Sequence, residues 1–160
     1  MSKEETKDLL NFLMPFSEDI RETALWLREF VWDLYARCNE LIYDNYNALA
    51  FGWSPSDRTS DTFCSVAVMS KYVHFGFYWG SKIADHKKIL LGKGTQYRYI
   101  IVKNKNDFPK TYMKKLLKEA HAYSLTRLKD DRPVMQGATI TRSISPIKKR
   151  PGIATPKKNK

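Results

Sequence analysis

Six acidic residues, Glu18, Glu22, Glu29, Asp33, Glu40 and Asp44, recur at spacings of four and seven along one stretch of the chain. At about 100° per residue they fall within roughly 80° of one another on a helix. Oxygen ligands in such a stripe suit hard cations and can hold ferrous or ferric iron weakly at an open surface. Glu18, Glu22, Glu29, Asp33 and Glu40 are therefore the metal-ligand candidates. The competing reading is a solvated helix face, since Arg21, Arg28 and Arg37 share the segment and can pair with these carboxylates.

No tighter metal set accompanies the stripe. His74, His86 and His121 never stand at i and i+4, and Cys38 and Cys64 are far apart, which excludes a multi-cysteine zinc site. His86 follows Asp85 and the two can act as an acid–base pair, yet sequence neighbours in a loop need not converge on a substrate. With no nucleophile elbow, triad, Rossmann or kinase signature, a non-enzyme is the expectation.

A second constellation lies in HFGFYWGSKIADHKKILLGKGTQYRYIIV, residues 74 to 102, which holds four of the seven glycines. A phosphate loop needs backbone amides aimed at one point ahead of a helix. Here Gly92-Lys93-Gly94-Thr95 runs instead into the strand-like Tyr97–Val102. The glycines then serve architecture: Gly76 permits close packing, Gly80 ends a strand, and Gly92 and Gly94 supply positive φ. The sharper alternative keeps Lys93, Thr95 and Arg98 as an anion-contacting group, with Tyr78 on an aromatic sheet face able to stack a base or small ligand.

Net charge is +11, but no acidic residue follows Asp131 while eight Lys and Arg do, which leaves +3 for residues 1–131. The excess belongs mainly to the end of the chain, where PIKKRPG and TPKKNK place Lys148, Lys149, Arg150, Lys157 and Lys158 as candidates for non-specific polyanion contact.

These groups need elements to position them. Ser2 and Glu5 form a capping box for a helix ending near Pro15. Ser17 starts a longer one, Glu18 to about Asn45, whose apolar face is Ile20, Ala24, Leu27, Val31, Leu34, Cys38, Leu41 and Ile42. Strands are expected at 48–53, 62–69, 72–79 and 97–103, with a tight turn at Ser70-Lys71, followed by a helix from Asp107 to about Leu128. Alternation puts Val73, Phe75, Phe77 and Trp79 on one sheet face and Tyr72, His74, Gly76 and Tyr78 on the other. Prolines 133, 146, 151 and 156 break every later periodic run, so 1–132 reads as a single domain and 133–160 as a flexible basic tail. The fold class is α+β, an antiparallel sheet with helices on one face.

Two cysteines without a framework, a start MSKEETKDLL unlike a secretory signal, and no window apolar enough for a bilayer give a soluble cytoplasmic protein as the expectation, with no membrane partner.

At Phe75-Gly76-Phe77, Gly80, Ile83, Asp85, Leu91-Gly92-Lys93-Gly94 and Tyr97-Arg98, with Tyr46–Phe51 upstream, the chain resembles the YdhG-like family of small domains of unknown function. The resemblance spans about residues 17 to 129 and departs from the family at Leu49 and Thr95. It implies a frataxin-like two-layer sandwich. Some relatives are described as intracellular iron chaperones, which makes iron the cofactor to test on the acidic stripe and an iron-receiving protein the partner it implies. The sequence thus predicts a non-enzymatic binding or accessory module, with an iron chaperone and a tail-borne nucleic-acid accessory protein as alternatives.

Overall fold

Ser17 opens the longest amphipathic segment: its hydroxyl accepts a hydrogen bond from the Ile20 amide at 3.4 Å, satisfying one of the free donors of the first turn. The computed structural model describes residues 6–129 and 136–152. Helix α1 covers Thr6–Leu13, α2 Glu18–Leu34 and α3 Lys110–Thr126; strands are β1 Asn39–Asp44, β2 Leu49–Ser54, β3 Cys64–Val68, β4 Val73–Tyr78, β5 Tyr97–Val102 and β6 Thr139–Ile144. The expected capping box, Ser2 with Glu5, lies outside the described residues.

One sheet orders these strands β5-β4-β3-β2-β1-β6. Every pairing is antiparallel except β1 with β6, which is parallel. In β6 the register slips between the partners of Ile42 and Tyr43, so Arg142 faces no β1 residue and forms a bulge. The class is α+β, as expected, but the sheet is larger than four strands and mixed.

Alternation decides which face is buried. Ile42, Phe51, Val66, Phe75 and Ile100 align across five strands and pack in one core with Leu9 and Leu13 of α1, Leu27 and Val31 of α2, and Met113, Leu116 and Leu117 of α3. All three helices therefore pack on this face. Each such side chain contributes about 1.5–3 kcal/mol by leaving water. Phe30 of α2, Phe75 of β4 and Phe108 before α3 meet edge to face at 5.0–6.4 Å, which fixes the helices against the sheet.

Two expectations fail here. The helix expected to run to Asn45 stops at Leu34, where Tyr35 leaves the helical region, and Cys38, Leu41 and Ile42 enter a turn and β1 instead. The three-and-four spacing continues through that segment, yet Leu41-Ile42-Tyr43 also fits a strand, and pairing on both sides by β2 and β6 outweighs the local periodicity. The tail expected from 133 does not hold for residues 136–152, which return to the sheet as β6 and close on Asp44. An edge strand buries only one side, so Thr139-Ile-Thr-Arg-Ser-Ile needs little apolar content to pair. Among the described residues, no helix is long and apolar enough to cross a membrane.

Candidate functional site

On the sheet face away from the helices, aromatic rings of β4, β5 and the turn before β4 form a column. Tyr72 stacks on His74 (5.1 Å between centroids, 19°), His74 on Tyr99 (4.1 Å, 21°), Tyr99 on Tyr97 (5.5 Å, 17°), and Tyr97 meets Tyr78 (5.5 Å, 50°). Gly76 is what lets the column lie flat: a Cβ there would sit 2.3 Å from the Tyr97 ring. The inner rings are occupied by one another, so they shield the sheet rather than offer faces to a ligand. Burial pushes the Tyr97 and Tyr78 phenols up and the His74 imidazole down.

At the Tyr78 end the column opens into a cavity of about 220 Å³ lined by Thr59, Ser60, Thr62, Tyr78, Trp79, Gln96 and Arg127. Local structure holds each wall. Thr59 and Ser60 belong to a single 3-10 turn pinned by the Tyr43 hydroxyl on Thr59 (2.5 Å) and by the Ser56 hydroxyl donating to Asp61 (2.6 Å). Trp79 ends β4 with φ 55°, a left-handed conformation that costs a residue with a Cβ about 1–3 kcal/mol and turns the indole toward the end of α3. There the Arg127 guanidinium lies 4.0 Å above the indole and donates to the Ser60 carbonyl at 3.3 Å. Among the described residues no carboxylate pairs with Arg127.

Thr62 is 5% exposed and its hydroxyl has no hydrogen-bond partner among the described residues. A buried hydroxyl left so costs about 1–3 kcal/mol. Hydroxyls, one amide, one guanidinium and two aromatic rings thus line a small concavity.

The expected anion group divides. Tyr78 lines this cavity, whereas Arg98 takes the helix-side register, opposite Phe77, packs its stem over Gly80 and donates to the Gly94 carbonyl at 2.8 Å. Thr95 accepts from Ser81 through its carbonyl, and Lys93 is exposed. Gly92 has the expected positive φ, 107°, but Gly94 does not. Trp79, Gln96, Arg127 and the three hydroxyl residues were not singled out; only the density of strand aromatics near Trp79 hinted at them.

The acidic stripe does not assemble. Glu18, Glu22, Glu29 and Asp33 lie exposed on α2, but Glu40 is on β1, fully buried and paired with Arg28. Among the described residues no three His, Cys, Asp or Glu side chains group as metal ligands. The Asp85 carboxylate accepts from Tyr112 and from its own loop. Burial raises its carboxyl, but a 2.5 Å bond from the Tyr112 hydroxyl, with the amides of Leu90, Ile89 and Lys88, holds it below its usual range. The polyanion set divides too: Lys148 and Arg150 are turned inward onto Asp44, Lys149 is exposed, and Lys157 and Lys158 lie outside the described residues.

Comparison of the chain with protein-family models, curated proteins and solved structures gives no match.

Proposed function

We propose that the protein is a non-enzymatic binding module that takes a small, hydroxyl-rich anion of about monosaccharide size at the Tyr78–Trp79 end of the sheet. The observation that carries this reading is the buried, unpartnered Thr62 hydroxyl in a cavity whose one charged group, Arg127, has no carboxylate partner among the described residues. A sugar phosphate or sugar acid supplies what the walls lack: an acceptor or donor for Thr62 and Gln96, an anion for Arg127, and CH groups for the rings. At about 220 Å³ the space is below the range of drug-sized sites, which favours a small metabolite. The YdhG-like and frataxin-like assignment is part of the same proposal, supported by the two-layer arrangement and by Gly76 lying beneath Tyr97, one of the positions that carry the resemblance.

Amide NMR of the full chain titrated with glucose 6-phosphate, glucose and inorganic phosphate tests it. Saturable shifts confined to Thr59–Thr62, Trp79, Gln96 and Arg127, strongest with the sugar phosphate, are expected. Thr62→Val keeps the shape, removes an unsatisfied hydroxyl and leaves the fold as stable or more so, while weakening binding. Shifts outside the cavity with all three probes, or unchanged affinity in Thr62→Val and Arg127→Met, sink the proposal.

A further inference from the structure

At the opposite end of the column, two turns and the returning chain enclose a second concavity of about 320 Å³ that includes Asn47 of the β1–β2 turn, Lys71 and Tyr72 of the β3–β4 turn, and Lys149. We propose that this groove binds single-stranded nucleic acid, with a base stacked on Tyr72 and flanking phosphates held by Lys71 and Lys149. Tyr72 is 41% exposed. As the terminal ring of the column it has His74 on one side and no ring neighbour on the other among the described residues. A base stacks on such a free face regardless of its identity. A duplex has no base face to offer.

Charge placement favours the same occupant. No carboxylate lines the groove, and neither Lys71 nor Lys149 pairs with one among the described residues. Lys149 is presented by its neighbours: Lys148 and Arg150 turn inward to Asp44, and the Lys149 amide donates to the Tyr46 carbonyl at 3.0 Å, so the side chain between them projects from an anchored backbone. A further cavity of about 370 Å³ shares Lys71 and Tyr72 and adds Lys103, with Asp19 as its carboxylate. The sequence after Gly152, IATPKKNK, adds three lysines and no acid. In a chain of +11, Lys71 and Lys149 beside the exposed Tyr72 match a polymer that alternates phosphate and planar base.

Fluorescence anisotropy of the full chain with fluorescein-labelled oligothymidine, a duplex of the same length and polyglutamate decides the matter. Single-strand binding should saturate and exceed duplex and polyglutamate binding. Tyr72→Ala should weaken it about tenfold while Tyr72→Phe preserves it, since stacking needs the ring and not the hydroxyl. Lys71→Ala with Lys149→Ala should reduce the slope of log affinity against log salt by about 1.4. Wild-type affinity in Tyr72→Ala, equal binding of duplex or polyglutamate, or no saturable binding would overturn the proposal. Because the sugar-phosphate cavity lies at the other end of the column, failure there leaves this result unaffected.

Discussion

Arg28 of α2 grips Glu40 of β1 with two parallel hydrogen bonds, Nε to Oε2 and Nη2 to Oε1, both 2.8 Å, and both side chains are sealed from solvent. The Thr139 hydroxyl of β6 adds a third bond to Oε1 at 3.0 Å, so one carboxylate ties helix, inner strand and edge strand together.

Glu40→Gln leaves a buried guanidinium without its counter-charge, and urea unfolding should show a loss of about 3–5 kcal/mol. The pair Arg28→Met with Glu40→Leu should recover most of it, because two apolar groups of similar volume leave no charge behind. A loss in Glu40→Gln within about 0.5 kcal/mol, as for an ordinary surface change, would contradict the burial of the pair.

Asp44 anchors the end of the described chain through Lys148, at 2.9 Å, and Arg150, and its carbonyl accepts from the Ser145 amide at 2.7 Å. Asp44→Asn should therefore loosen β6 selectively. Hydrogen exchange should accelerate about tenfold or more at the β6 amides paired to β1 and at Ser145, a local opening made easier by about 1.4 kcal/mol, while β3 and β4 stay protected. Uniform acceleration across the sheet would show instead that the anchor supports the whole fold.

His121 lies between Tyr35, 4.8 Å away, and Phe63, 5.1 Å away, and burial holds its imidazole below the ordinary value, as it does for His74. Between these lowered folded values and the unfolded value of about 6.5, the unfolded chain binds more protons. Stability should therefore rise with pH through that window and level off above it. Urea midpoints measured at about pH 5 and pH 7.5 should differ in that sense, and His121→Phe should reduce the difference. A midpoint that falls as pH rises through the window has the wrong sign and defeats the argument.

Cys38 and Cys64 are buried; burial pushes the Cys38 thiol up to about 12 and the Cys64 thiol well above its usual value. Thiolate is the reactive form, so both should resist a disulfide reagent at pH 8 in the native state and react only as fast as the chain opens. Rapid native labelling of either would show an exposure that the fold denies it.

What could be read from the residues followed from how local each signal is. The strands at 48–53, 62–69, 72–79 and 97–103 alternate and are bounded by turn residues, and all four form close to those limits. The helix–strand switch at Tyr35 was illegible because Cys38, Leu41 and Ile42 satisfy both periods, and what decides between them is β6, whose Thr139 pairs with Glu40 across 99 positions. The cavity was legible only at Tyr78. Its other walls come from a 3-10 turn, a left-handed Trp79 and the end of α3, which no spacing in the sequence brings together.

The bulge at Arg142 matters for what the sheet does not do. β6 is rich in β-branched residues and stands at an open edge, the usual template for a neighbouring chain to extend a sheet without limit. Because Arg142 interrupts the ladder and carries an exposed charge, an incoming strand meets a kinked and cationic rim. The same residue that breaks the register thereby makes this border a poor template for an added strand.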